Sequence, residues 1–342
     1  MKRFLGDGLP EQPRLAVIAN DAIGNFVVAT PLLQMLRRTY PTGTIHFFGG
    51  SRTRELQQPS DLFDDQFELH GPSFWETASL LAARAGTYDL TINFERTALA
   101  KVATATFGAE GFVCGPCVGP GGRGDLDYPS DARGDLWRDE AWISEDITSR
   151  YDFLTSGFMG EILARLAYLE GPVPRYRVPS QEPSMEVPDI LFSASASLPD
   201  KIWPEEKWVD LISTIQRSGR TMGLIGAPPK VGSEHWKGGG IEDAIIGTGA
   251  VVDLRGRLSL SEVVGALARC KQVFTLDNGI LHLACATDTR TIGLFRYGIH
   301  RLWAPPVSNL HVLVPEPHQI VADISVSACV EALGLHENSG LH

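Results

Sequence analysis

The chain has 342 residues, 43% of them hydrophobic and 21% charged, with 41 acidic against 30 basic side chains and a net charge of −11. That length points to about two domains of ~100–200 residues each, and that composition to an ordinary soluble globular protein. The acidic balance argues against nucleic acid as a partner and, less strongly, against an anionic membrane surface.

No apolar run approaches the ~18 residues that a membrane span needs, and the opening MKRFLGDGLPEQ lacks the apolar stretch of a signal peptide. Five cysteines in so long a chain do not read as a disulfide framework. The expected setting is the reducing cytoplasm.

In chain order, residues 15–19 are a short apolar strand, and residues 26–40 show the 3.6-residue apolar spacing of a helix with basic residues near its end. Residues 44–48 form a second strand, 75–85 a helix, 88–94 a strand and 111–114 another. Residues 115–135, rich in Gly, Pro, Asp and Arg, are expected to be a long loop, and residues 147–169 one long helix. Residues 171–188 hold five prolines and form the best interdomain linker. A second series follows: strand 189–192, helix 205–218, strands 222–225 and 251–253, helix 261–270, strand 272–276, helix 281–286 and strand 291–295.

Strands alternating with helices imply parallel βαβ units. The expected fold class is α/β with two doubly wound Rossmann-like domains, residues 1–178 and 188–330. Their ligands would bind at the carboxyl ends of the strands, facing a shared central cleft.

Three segments carry chemistry. In Phe274-Thr275-Leu276-Asp277-Asn278-Gly279-Ile280-Leu281-His282-Leu283-Ala284 a buried strand meets a polar turn and a helix start. The free N–H groups and dipole of such a helix start suit phosphate. In Phe192-Ser193-Ala194-Ser195-Ala196-Ser197-Leu198-Pro199-Asp200-Lys201-Ile202-Trp203-Pro204 a strand runs into small residues, a lysine and Trp-Pro. Near the amino end stands IANDAIGNFVVATPLL, from Ile18 to Leu33. Together these resemble the heptosyltransferase family, glycosyltransferase family 9. Its members show a His-Pro-Gly-Ala-Ser loop before Lys-Arg-Trp-Pro, then Asp-Ser/Thr-Gly-x-x-His-Leu-Ala, and begin with a Gly-Asp turn before a Thr-Pro-Leu-Leu helix. The resemblance spans most of residues 14–300 and implies the GT-B fold.

A nucleoside-diphosphate sugar needs a lysine, backbone N–H groups and hydroxyls around its phosphates. Ser195, Ser197 and Lys201 follow one strand; Asp277, Asn278, Gly279 and His282 follow another. The resemblance places Lys201 on the diphosphate, the Asn278–Gly279 backbone around the phosphates, and Asp277 near the sugar. The plain alternatives are a surface lysine, a core histidine and a helix N-cap. Where family members carry a ribose-binding carboxylate after a Gly-Ala-Pro turn, this chain has Gly226-Ala227-Pro228-Pro229-Lys230, and Glu234 follows as a substitute.

On the acceptor side, displacement at the sugar needs a general base. The family base, the Asp of the Gly-Asp turn, falls at Asn25, whose amide can orient a hydroxyl but not deprotonate it. Asp21, four residues earlier, and Glu95, at the end of the 89–94 strand, are the substitutes, with a chain lacking any base as the remaining option.

Three other patterns are read as incidental. Cys114-Gly115-Pro116-Cys117 matches a redox motif but is followed by a Gly-rich loop. Asp125-Leu126-Asp127 matches a metal-binding Asp-x-Asp but lies among eight acidic residues between 121 and 150. Gly238-Gly239-Gly240 lacks the context of a dinucleotide site.

The resemblance therefore implies an inverting, metal-independent glycosyltransferase with no cofactor. It would move a heptose or related sugar from an ADP-heptose-like donor to a hydroxyl of a small-molecule or glycan acceptor. The net charge favours a soluble acceptor, such as an aminoglycoside or other secondary-metabolite intermediate. A lipopolysaccharide-core acceptor is the alternative, and a non-catalytic nucleotide-sugar-binding protein is the competing class, with Asn25 in its favour.

Overall fold

Leu15, Ala16, Val17 and Ile18 are wholly buried because their strand lies in the middle of a parallel sheet covered on both faces. The computed structural model describes residues 1–228 and 239–335, and the chain divides into two units, Met1–Arg177 and Val178–His342. The N-terminal sheet holds β1 (Lys2–Arg3), β2 (Arg14–Ile18), β3 (Thr44–Gly50), β4 (Asp65–His70), β5 (Leu90–Asn93) and β6 (Phe112–Cys114). Its order is β1-β6-β5-β2-β3-β4, all parallel. The C-terminal sheet holds β7 (Ile190–Ser193), β8 (Met222–Leu224), β9 (Val251–Asp253), β10 (Gln272–Leu276), β11 (Arg290–Leu294) and β12 (Leu310–Leu313). Its order is β12-β11-β10-β7-β8-β9, again all parallel. In each sheet the order reverses beside the central strand, between β2 and β5 and between β7 and β10. Open α/β sheets bind ligands at this switch point, outside the carboxyl ends of the strands.

The helix Ile23–Thr39 shows how local sequence resolves a conflict. Pro31 lies inside it and has no N–H to give the Val27 carbonyl. The Thr30 hydroxyl supplies the missing bond, donating to that carbonyl at 2.7 Å. The same oxygen accepts the Arg177 N–H at 3.1 Å, so the Thr-Pro pair also fixes the end of the N-terminal unit. Inside that unit, Ala16, Ile18, Phe48, Tyr88 and Phe107 form one buried face of the core. In the C-terminal unit the core centres on Phe192, Trp203, Trp208 and Phe274, whose rings meet edge-on or tilted at 5.3–6.3 Å. The Trp203 indole N–H is satisfied by the Ile324 carbonyl at 2.9 Å.

The expected helix over residues 147–169 is two short ones, Ile147–Arg150 and Met159–Leu166. Between them Thr155 and Ser156 turn their hydroxyls to the buried Glu161 carboxylate at 2.7–2.9 Å, a side-chain alternative to the helical ladder. The expected loop over 115–135 ends in a helix, Ala132–Arg138, capped by Asp131. Strands β1, β4 and β12 and the helix Ala98–Phe107 add to the expected elements.

The proline-rich stretch is anchored at both ends. Gln34 Nε2 donates to the Arg175 carbonyl at 2.7 Å, and the Gln181 N–H donates to the Ser261 carbonyl at 2.9 Å. A Cβ on Gly265 would overlap the Gln181 carbonyl. Gly265→Ala is therefore expected to destabilise the C-terminal unit by ~1–3 kcal/mol, the usual cost of overpacking, read as a lower denaturation midpoint. An unchanged midpoint would show that this segment is not held against the helix Leu260–Arg269.

Candidate active site

At the C-terminal switch point one amide joins the two strands. Asn278 follows β10, and its Nδ2 donates to Ser193 Oγ at 3.0 Å and to the Ser195 carbonyl at 2.9 Å, both at the end of β7. Its Oδ1 accepts the N–H groups of Ile280 and Leu281 at 2.9 and 3.3 Å, capping the helix Gly279–Cys285. Two donors expected to face a phosphate are thus already satisfied by Asn278 itself. Gly279 opens the helix behind this cap.

Lys201 reaches the same point. Its ammonium pairs with Asp277 Oδ2 at 2.7 Å and donates to the Asp277 carbonyl at 3.3 Å. The side chains are 15% and 5% exposed, so the pair is desolvated and holds the ammonium at the carboxyl ends of β7 and β10. His282 is buried one turn into the helix, edge-on to Trp303. Burial pushes its pKa down to about 4, the Lys201 charge acting in the same direction and Asp277 opposing, so its ring is neutral at neutral pH.

Of the other donor-side residues, Ser195 is buried and Ser197 exposed. Gly226, at the end of β8, accepts the Gly256 N–H at 2.9 Å and faces Glu242. Glu234 lies outside the described residues. Glu242, not anticipated from the sequence, is 7% exposed in the helix Gly239–Gly247 and stands 3.5 Å from Arg255, with one carboxylate oxygen lacking a hydrogen bond. Burial raises its pKa against the Ser195 hydroxyl and Arg255. Only a Glu-Asp pair in a helix start signalled it in the sequence.

The N-terminal switch point holds both candidate bases. Glu95 follows β5, and its Oε1 accepts the Asn20 N–H at 3.2 Å, just past β2. Asn93 fixes that turn, accepting the Glu95 N–H at 2.8 Å and donating to the Glu95 and Pro116 carbonyls. Asp21 Oδ1 accepts the Arg52 N–H at 2.9 Å. A Cβ on Gly50 would overlap the Asp21 carboxyl group, so the glycine makes its place. Burial raises both carboxyl pKa values, against Arg52 and His70 for Asp21 and against Asn20 for Glu95. That direction brings a carboxylate towards the range of a general base. Asn25 is half-buried in the first turn of the helix Ile23–Thr39.

The incidental motifs are accounted for. Cys114 and Cys117 are buried free thiols whose pKa values burial pushes up to about 12 and about 11, the reverse of a reactive thiolate. Asp125 pairs with Lys101 at 2.6 Å. Among the described residues no group of three or more His, Cys, Asp or Glu side chains is arranged to hold a metal ion. Nor is any helix there long and apolar enough to cross a membrane. Gly238 lies outside the described residues, and Gly239 begins a helix.

Comparison with known proteins agrees with this layout. The chain is similar over 94% of its length to a glycosyl transferase family 9 structure from Veillonella parvula, at a TM-score of 0.71, 13% identity and 96% coverage of that chain. It is similar over the same share to the E. coli ADP-heptose lipopolysaccharide heptosyltransferase II, at 0.67, 18% and 97%. An E. coli heptosyltransferase solved with ADP gives 0.64, 15% and 99%. These likenesses establish the fold, that of the GT-B glycosyltransferases. Residues 165–325 match the family model described as glycosyltransferase family 9 (heptosyltransferase). Lipopolysaccharide heptosyltransferase 1 of Salmonella typhimurium is 32% identical over 109 residues, a stretch that spans about a third of either chain (32% of each).

The burial of His282 has a measurable consequence. Its folded pKa lies below the ordinary 6.5, so the unfolded chain gains a proton as pH falls from about 6.5 to about 4 while the folded chain does not. Stability should fall through that window by about 3 kcal/mol in all, at ~1.4 kcal/mol per unit of pKa. Denaturant titrations at pH 7 and pH 4.5 check this: His282→Gln should shrink the difference between the two, and an unchanged difference would exclude His282 as its source.

Proposed function

We propose that this protein transfers a heptose or related sugar, with inversion, from a nucleoside-diphosphate sugar of the ADP-heptose kind to a hydroxyl acceptor. The single observation that carries the reading is the Lys201–Asp277 pair at the switch point of the C-terminal sheet. It supplies a fixed positive charge where a doubly wound unit receives phosphates. An ammonium has three donors, and the pair with Asp277 leaves capacity for a phosphate oxygen. The E. coli relative was solved with ADP, which makes ADP the first ligand to try.

In this reading the C-terminal unit binds the donor, and Lys201 with the Ser195–Ser197 loop stabilises the negative charge that grows on the leaving diphosphate. No metal is required for that charge. A carboxylate of the N-terminal unit takes the acceptor proton. Asp21 is the better candidate: one oxygen is held by the Arg52 N–H and the other remains available, whereas Glu95 braces the Asn20 backbone. The acceptor is a soluble molecule, in keeping with the net charge of −11. A non-catalytic donor-binding protein is the second reading, favoured by an amide at Asn25.

Calorimetry with ADP tests the donor site. Lys201→Ala should weaken binding by ~1.5–3 kcal/mol, roughly 10- to 150-fold, the range for hydrogen bonds to charged groups; equal affinity would remove Lys201 from the site. ADP release from ADP-heptose should persist in EDTA, and loss that Mg²⁺ restores would overturn metal independence.

The base is tested by kinetics. Asp21→Asn should lower kcat by ~10²–10⁴ with little change in ADP affinity. If Glu95→Gln shows that loss and Asp21→Asn does not, the base is Glu95. A parent protein that binds ADP yet releases none from ADP-heptose would favour the binding-protein reading.

A further inference from the structure

We propose that Arg296 is a second cation of the donor site and binds the terminal phosphate of the diphosphate, beside Lys201. This rests on the reading of the C-terminal unit as the donor-binding one. It adds a residue that the sequence did not single out. Strands β11, β10 and β7 lie side by side and parallel, so their carboxyl ends share one edge. The segment after β7 delivers Asp200 and Lys201, Asp277 follows β10 directly, and Arg296 stands two residues past β11. Leu276 is in register with Leu294, and the Asp277 N–H donates to the Leu294 carbonyl at 3.1 Å. Asp277 and the Phe295–Arg296 step therefore leave the sheet next to each other. The base of Arg296 is firm: Phe295 is wholly buried, and its N–H donates to the Leu313 carbonyl at 2.9 Å.

Two ion pairs meet here. Arg296 Nη1 donates to Asp200 Oδ2 at 2.7 Å, and the next residue, Lys201, sends its ammonium to Asp277 Oδ2 at 2.7 Å. The peptide unit between Asp200 and Lys201 thus ties the guanidinium to the ammonium. Asp200 does not use the whole of the guanidinium. A carboxylate matched to an arginine alone accepts two parallel bonds from its planar fork. Asp200 takes one bond, from Nη1, and Nε has no hydrogen-bond partner. Nε is shielded from solvent, so a phosphate would approach the outer nitrogens of a side chain that is 26% exposed. The Asp200 side chain is 43% exposed and can turn to water as the phosphate takes its place.

The charges give this guanidinium a task. Both phosphates of the donor are negative, whereas Lys201 offers a single positive charge already matched by Asp277. Arg296 adds a planar donor whose geometry suits two oxygens of one phosphate. In the transfer step the acceptor oxygen bonds to the anomeric carbon and gives its proton to the carboxylate of the N-terminal unit. The bond from that carbon to the terminal phosphate oxygen breaks, and its electron pair stays on that phosphate. Arg296 meets the charge that grows there.

Calorimetry on the full chain with two probes, ADP and AMP, tests this. Arg296→Gln should weaken ADP binding about 10- to 100-fold, the range for hydrogen bonds to charged groups. It should leave the affinity for AMP, which lacks the terminal phosphate, unchanged, and that retained affinity also shows the variant to be folded. Asp200→Asn is the discriminating variant. It removes a competitor for the guanidinium and should preserve or strengthen ADP binding. Were Arg296 no more than the partner of Asp200, breaking the pair from either side would have the same effect. A loss with Asp200→Asn equal to that with Arg296→Gln therefore overturns the proposal. So does an unchanged ADP affinity in Arg296→Gln, or an equal loss for ADP and AMP. If Lys201→Ala weakens ADP binding while Arg296→Gln does not, the donor site stands without Arg296. A parent protein that binds neither probe refutes the donor site itself, and this assignment with it.

Discussion

The C-terminal unit depends on what the side chain of Asn278 does. Its amide uses both N–H groups on the end of β7 and its oxygen on the start of the next helix. One residue therefore closes the gap where the sheet reverses direction, the place a doubly wound fold leaves open for a ligand. The family motif carries a Ser or Thr here. A hydroxyl can cap a helix, but it has a single proton and cannot also bond two acceptors across the strands. The amide makes the turn stiffer and sets Asp277, one residue earlier, where its carboxylate meets Lys201.

The N-terminal unit solves the same problem with a different pair. Asn93 ends β5 and fixes the turn through Glu95 and Pro116, while Glu95 reaches back to the Asn20 N–H beyond β2. Glu95 thereby has the part in this unit that Asn278 has in the other, which is why a carboxylate so well placed is the weaker candidate for moving a proton. Asp21 is bound through one oxygen and owes its position to the missing side chain of Gly50. With an amide at Asn25 the helix start carries no carboxylate, and Asp21 and Glu95 lie in the loops before and beside it.

Much of this was legible in the sequence because it rests on local chemistry. Apolar runs of four or five residues between helices give buried parallel strands, and small polar residues after them mark the switch-point loops. What escaped was set by contacts between distant residues. The break in the expected 147–169 helix comes from Glu161, whose buried carboxylate draws in the hydroxyls of Thr155 and Ser156. The Cys114 and Cys117 spacing, read as incidental in the sequence, belongs to thiols whose burial disfavours the thiolate. Glu242 and His70 sit in unremarkable sequence, and only the fold shows each with a polar atom left over. Asn278 reads as a phosphate-binding turn in sequence, and only the register of β7 against β10 shows that its side chain is occupied.

The electrostatics follow from the same economy of partners. In a chain of net charge −11 Lys201, at the carboxyl ends of β7 and β10, is not a free surface cation but half of a buried pair. Taken alone, such a pair is a poor source of stability, since desolvation offsets most of the attraction. Its value is positional: the carboxylate holds the ammonium in one orientation before any phosphate arrives, so less freedom is lost on binding. On the proposed reading, a diphosphate competing for that ammonium would meet an opposing charge in Asp277, and the nearby His282, kept neutral by burial, adds no positive charge to offset it. On that reading, binding would be tempered in the ground state, whereas the charge growing on a departing diphosphate would meet an ammonium already in place.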